Sequence, residues 1–337
     1  HALFQGPFLS VKLPFRSTES TTEFFPDVPM GFPPYLHQQN AFDRLSAHPP
    51  QHTIVATGTG SGKTECFTLP ILDHCYQQRA QKGIKAIIIY PMNALATDQA
   101  KRLAKMIYQR PHLKESVRVG LFVGQQEKHP SQAMEPDKVI TCKNTLTEYP
   151  PDILLTNYKM LDYLLARPQN QKIWHLNEPT TLQYLVVDEL HTFDGAQGTD
   201  LACLIRRLKK RLNITENHLC CVGTSATLGS DSSDDLLQYP KQIFGEEFSK
   251  DSIITESRIH PYEFFHGTFI EPEATFKEED ISKLLPNDYT DTTEYLHAQM
   301  NLWFGHILPE QQLGLKLKEV ALFRNLIELL SKGPVTV

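Results

Sequence analysis

Long apolar runs are missing from this sequence. The longest aliphatic stretch, AIIIY at 86–90, is far short of the ~20 apolar residues that a bilayer span requires, so no membrane helix is expected. The first residues lack the basic-then-apolar order of a secretory signal. Six cysteines, at 66, 75, 142, 203, 220 and 221, form no CxxC pair and no framework spacing. That excludes a zinc ribbon or a disulfide scaffold, and a reducing cytoplasm fits best. An excess of one charge is missing too. The 33 Lys and Arg against 39 Asp and Glu leave a formal charge of −6, which excludes a generally basic nucleic-acid coat and confines any nucleic-acid site to a local patch.

What is present is the composition of a folded protein. Hydrophobic residues at 40% and charged residues at 21% argue against a disordered tail, a collagen-like fibre or a coiled coil. The length, 337 residues, accommodates about two domains with buried cores. Residues 3–7, LFQGP, resemble a viral 3C-protease recognition site and are set aside as a processing remnant. Residues 8–34 are rich in Pro, Ser, Thr and Phe without a period, so 1–34 is expected to be that remnant followed by an extended arm.

From 35 onward, short β-branched runs at 53–56, 86–90, 117–123, 153–156, 185–187 and 219–223 alternate with helix-compatible stretches. Near-continuous apolar strands are expected where helices cover both faces of a parallel sheet. The fold class is therefore α/β, a doubly wound parallel sheet, over 35–245. One helix shows its apolar face directly: Leu201, Leu204, Ile205, Leu208 and Leu212 follow a 3.6-residue period, with Thr199 and Asp200 as its expected start. After about 245 the strand-helix rhythm fades. Residues 246–337 are expected to be a linker and a mostly helical segment, with helices near 292–305 and 314–332.

Residues 53–64 read TIVATGTGSGKT, a strand, a glycine-rich turn and a Lys-Thr pair opening a helix. Glycines let backbone N–H groups curl around phosphate oxygens, and the helix N-terminus adds its positive end. In this pattern Lys63 reaches the β- and γ-phosphates, Thr64 ligates Mg²⁺, and Thr57, Gly58, Thr59, Gly60, Ser61 and Gly62 line the nucleotide. Thr57 occupies the position where the strict GxxxxGK[ST] template has glycine. At 185–191, LVVDELH places Asp188 and Glu189 at the end of an apolar strand, where open α/β sheets bind ligands. There Asp188 is expected to hold Mg²⁺ and Glu189 to deprotonate the attacking water. GTSAT at 223–227 follows a further apolar run and brings small hydroxyls to the same edge.

These stretches, in this order, resemble the motifs of superfamily 2 DEAD/DEAH-type helicases over 35–230, more than half of the chain. Gln38 in PYLHQ resembles the adenine-reading glutamine, ATGTGSGKT motif I, YPMNAL motif Ia, LTNY motif Ib, DELH motif II and SAT motif III. The phrases IIIYPMNALATDQ, ILLTNYKMLDYLL and DELHTFDGAQGTDLACLIRRLK are most similar to large bacterial helicases of the mitomycin-repair and RecQ-four-like branch, including helicase subunits of Druantia and DISARM anti-phage systems. The resemblance implies a RecA-like first motor domain that takes ATP and Mg²⁺. It further implies a nucleic-acid strand, DNA above RNA, against Pro91, Asn93, Thr156 and Asn157, with His191, Ser225 and Thr227 coupling the two sites. A partner subunit and a role in antiviral defence or DNA repair are implied as well. No QxxGRxxR stretch of a second RecA-like domain follows residue 230, so the chain is expected to be an N-terminal fragment with weak turnover alone. A double-strand translocase and an ATP-gated interaction module are the competing readings.

For the remainder, capping of the following helix is as good an account of Asn93, Thr156 and Asn157 as phosphate contact. The cluster Arg206, Arg207, Lys209, Lys210 and Arg211 reads first as a solvated helix end and second as a phosphate track. Trp303, Phe304 and Phe323 read as core before stacking platform, and His260, His266, His297 and His306 lack metal-ligand spacing.

Overall fold

The computed structural model describes residues 8–18, 24–124, 129–226, 235–270, 284–333 and 335–336. They form two compact units, Phe15–Ser257 and His1–Pro14 with Arg258–Val337.

The larger unit is built on seven strands: β1 (Thr53–Ala56), β2 (Ala86–Tyr90), β3 (Val119–Phe122), β4 (Ile153–Asn157), β5 (Tyr184–Val187), β6 (Cys220–Ser225) and β7 (Ile253–Thr255). Their order in the sheet is β3-β4-β2-β5-β6-β1-β7, and every pairing is parallel. The helices are α1 (Leu36–Leu45), α2 (Lys63–Gln77), α3 (Asn93–Tyr108), α4 (Pro111–Ser116), α5 (Lys143–Glu148), α6 (Tyr158–Ala166), α7 (Gly195–Arg211) and α8 (Asp235–Phe244). Alternate strand residues serve opposite faces. Ile88 and Tyr90 join the core formed with α1–α4, whereas Ile87 and Ile89 join the one formed with α5–α8. Both faces must then be apolar, which is why the strands read as unbroken runs.

The five residues of the α7 stripe are all buried. At about 1.5–3 kcal/mol for each such side chain, the stripe outweighs the ~0.3–1 kcal/mol of a charge at the helix end. The helix opens at Gly195 behind Asp194, ahead of the expected Thr199 and Asp200. The Asp194 carbonyl accepts the Gly198 N–H at 3.3 Å, and a Cβ at Gly198 would lie 2.6 Å from the Phe193 carbonyl oxygen. At the edge opposite the phosphate loop, fully buried Lys85 pairs with Asp152 at 2.5 Å, whose other oxygen accepts the Arg118 N–H at 2.8 Å. One carboxylate thus ties the starts of β2, β3 and β4 together.

Two features depart from the expected boundaries. The sheet extends past 245 through β7, which pairs with β1. The arm contributes Phe25 and Val28 to the core, with Phe25 edge-on to Phe42 at 5.2 Å.

In the smaller unit Phe8–Leu9 pairs antiparallel with Val335–Thr336, and Leu13, Phe265 and Ile327 form a small core. Its longer helices are Thr292–Phe304, Glu310–Leu317 and Ala321–Ser331. The expected helix at 314–332 is therefore two, and the Lys318 carbonyl at the break accepts from Arg324 Nε at 2.7 Å. Phe323 packs edge-on against Phe265, in that core. No described helix is long and apolar enough to cross a membrane.

Candidate nucleotide site

The loop between β1 and α2 turns through left-handed backbone at Gly60 (φ 76°) and Gly62 (φ 75°), a region open to glycine at little cost. At Gly62 space is as restrictive as conformation, since a Cβ there would collide with the Gln38 amide. The departure at Thr57 has a physical reason. Its hydroxyl meets the Ser61 hydroxyl at 2.7 Å, closing the loop across its base with both side chains buried. From α1, His37 Nε2 lies 2.8 Å from the Ser61 carbonyl oxygen. Gln38 is buried, with its Oε1 accepting the Tyr35 N–H at 3.0 Å and its Nε2 donating to the Gly62 carbonyl at 3.2 Å. Thr57 N–H donates to the Ser225 carbonyl at 3.2 Å, and Gly58 N–H donates to Glu256 Oε2 at 2.7 Å. Thr59 and Gly60 form the exposed tip, whereas Thr64 is half-buried.

Asp188 and Glu189 follow β5, two strands from β1. Asp188 is buried, and its N–H donates to the Ile89 carbonyl at 2.9 Å. Burial pushes its carboxyl above the usual range; the Thr224 hydrogen bond pulls it back, Glu189 pushes it up again and Lys63 opposes. Glu189 is a left-handed residue, φ 50° and ψ 51°. Its Oε1 lies 3.4 Å from Lys63 Nζ. Its Oε2 is buried, has no hydrogen-bond partner among the described residues and sits 3.5 Å from His191 Nδ1. His191 Nδ1 is also 3.1 Å from Ser225 Oγ, so the expected pair His191 and Ser225 meets. Thr227 lies outside the described residues.

At the ends of β2 and β4, Asn157 Nδ2 donates to Asn93 Oδ1 at 2.6 Å, while Asn157 Oδ1 accepts the Met160 N–H at 2.8 Å and caps α6. Pro91 is half-buried beside them. Thr156 does not join this surface. It is fully buried and its hydroxyl donates to the Phe122 carbonyl at 2.7 Å, because a residue inside a central strand must satisfy its polar group within the sheet. Three residues that touch the site escaped the sequence reading: His37, Thr224 and Glu256. His37 and Thr224 lay in quoted motifs, and the Thr224 contact follows from register, with Val187 opposite Gly223.

The donors present suit a phosphate chain with a divalent cation. Two left-handed glycines shape a nest of N–H groups, Lys63 supplies a cation, and Asp188 with the half-buried Thr64 supplies oxygens. The Glu189 oxygen without a hydrogen-bond partner is an unused acceptor beside His191.

A phosphate loop, an acidic strand end and a hydroxyl strand end on one edge of a parallel sheet define a nucleotide-binding domain of RecA-like fold. Residues 35–236 match the DEAD/DEAH box helicase family, and the chain belongs to it. The Druantia protein DruE of Escherichia coli strain UMEA 4076-1 is 26% identical over 58% of this chain and 16% of its own length. An uncharacterized ATP-dependent helicase of Methanocaldococcus jannaschii is 26% identical over 77% of this chain and 34% of its own. The chain thus spans about a third or less of the length of these relatives. Crystal structures of the DUF1998 helicase MrfA, with DNA and with DNA and AMPPNP, superpose with a TM-score of 0.56 over 74% of this chain and 32% of that one. At 23% identity this likeness is one of fold.

Proposed function

We propose that this chain is the ATP-binding first motor domain of a larger DNA helicase or translocase. The observation that carries the reading is the meeting of Lys63 and Glu189 at 3.4 Å, two residues 126 positions apart brought to one sheet edge. Lys63 would exchange this carboxylate for the β- and γ-phosphates of ATP. Glu189 then takes a proton from water as the water oxygen bonds to the γ-phosphorus and the bond to the β-bridging oxygen breaks. Thr64 and Asp188 would hold a Mg²⁺ ion, which when bound offsets the charge of the phosphate chain. Gln38, already fixed on the phosphate loop, would read the adenine. His191 and Ser225 would link the acidic strand end to β6. Pro91 with the joined Asn93 and Asn157 offers a polar rim for strand phosphates, which position without reading bases.

DNA as the strand draws on the likeness in fold to MrfA, whose crystal structures hold DNA, and a defence role with a partner subunit on the similarity to the Druantia protein DruE. A cytoplasmic location is part of this reading, since the six cysteines have no framework spacing.

The test is made in the intact protein. Lys63→Ala should abolish binding of a fluorescent ATP analogue, whereas Glu189→Gln should keep binding and stop turnover. Wild-type hydrolysis by Glu189→Gln would remove the general base and with it this reading. Strand displacement distinguishes a helicase from a translocase that turns over ATP without separating strands.

A further inference from the structure

Thr224 is fully buried at the end of β6 and touches both members of the acidic pair. Its hydroxyl accepts the Glu189 N–H at 3.0 Å and donates to Asp188 Oδ1. A hydroxyl has one hydrogen and two lone pairs. Because a backbone N–H can only donate, the hydroxyl hydrogen is left for the carboxylate, and the sense of both bonds is fixed.

The consequences reach each acid differently. One Asp188 oxygen is taken by the hydroxyl, so that the carboxylate presents the other. Glu189 is held by its N–H in a left-handed conformation that residues with a side chain rarely adopt, and from that backbone its side chain reaches both Lys63 and His191. Thr224 also precedes Ser225, the partner of His191. We propose that Thr224 is a positioning residue for ATP hydrolysis: its hydroxyl sets the orientation of the Asp188 carboxylate toward the cation and the backbone conformation that aims Glu189 at water. This inference rests on the roles proposed above for Asp188 and Glu189.

The test compares Thr224→Val, Thr224→Ser, Thr224→Ala and Glu189→Gln in the intact protein. Three quantities are read: kcat and KM for ATP, the gain in affinity for a fluorescent ADP analogue on adding Mg²⁺, and the melting temperature. Thr224→Val keeps shape and loses the hydroxyl, so kcat should fall roughly tenfold or more while KM changes less than about threefold. The Mg²⁺-dependent gain in affinity should shrink several-fold. Thr224→Ser should restore both. If Thr224→Val does not fold, the Ser and Ala variants, which differ by the hydroxyl alone, carry the comparison: active Ser with impaired Ala supports the proposal. Equal behaviour of Ser and Ala, or wild-type kcat and Mg²⁺ response in Thr224→Val, overturns it. Glu189→Gln separates the two failures. If that variant is inactive while the Thr224 variants match wild type, the positioning role falls alone, and if it turns over ATP normally, the reading beneath it falls as well.

Discussion

His74 on α2 sets its ring edge-on to Tyr184 at 5.3 Å. Burial lowers its imidazole to about 4 from 6.5, with Lys85, His218 and His48 acting in the same direction. In the fold it stays neutral where the unfolded chain would take a proton. Its contribution is therefore present above pH 6.5 and lost as pH falls toward about 4, an effect of about 3 kcal/mol in order of magnitude. His74→Phe keeps a ring against Tyr184 and removes the titration. Urea midpoints at pH 7 and 4.5 should show a smaller acid loss in that variant than in wild type, and equal losses would refute the assignment. At this scale the phosphate loop was legible because Gly, Lys and Thr carry its chemistry in consecutive positions. Thr224 and Glu256 were not, since a hydroxyl or carboxylate reaches the loop or the acids only through strand register. Thr156 misled for the same reason, because a threonine at a strand end reads alike whether it faces the core or the strand surface.

Helix α7 shows how one element divides its charges between packing and solvent. Lys209 Nζ donates to the Phe244 carbonyl at 2.6 Å and pairs with Glu246 at 2.5 Å, whereas the Arg207 pair with Asp162 at 2.7 Å is far more exposed. Arg206 donates to the Gln242 carbonyl at 3.4 Å. Two members of the basic cluster thus tie α7 to α8 and the residues just beyond it, which favours the structural reading for them. Removing Lys209 leaves a half-buried carboxylate and a carbonyl without their donor, so Lys209→Met should destabilise by ~1–3 kcal/mol. Arg207→Ala should stay within ~1 kcal/mol, as exposed pairs do. Chemical denaturation checks both, and equal costs would show that burial does not decide. The stripe on α7 was legible in sequence because five apolar residues mark one face, and the central strands because both of their faces are apolar. The helix start was not, since Asp194 caps with its backbone rather than its side chain. Nor was β7, a three-residue strand whose burial alternates weakly.

At the scale of the whole chain, the core of the larger unit is drawn from Phe15–Ser257 alone, including the phosphate loop, the acidic pair and the β6 hydroxyls. An autonomous core, with all the residues proposed above to hold the nucleotide in one unit, predicts that residues 15–257 fold cooperatively without the rest and bind ADP with Mg²⁺. The smaller unit was hardest to read in sequence because its small core joins Leu13, Phe265 and Ile327 from distant stretches, and its two longest helices bury only one or two described residues each, too few to mark a face. Turnover should behave differently from binding. In a two-domain motor, cleft closure brings an arginine to the γ-phosphate, a contribution of ~10³–10⁵ in rate where it has been measured. No QxxGRxxR stretch follows residue 230 in this sequence, and in the reading proposed above the arginine belongs to a second motor domain. Residues 15–257 should then hydrolyse ATP slowly, with little response to saturating single-stranded DNA and no strand separation. Single-turnover hydrolysis on this segment, beside the intact protein, is the measurement. A DNA-stimulated rate equal to that of the intact protein would mean that one RecA-like unit is sufficient, and the two-domain motor would have to be given up.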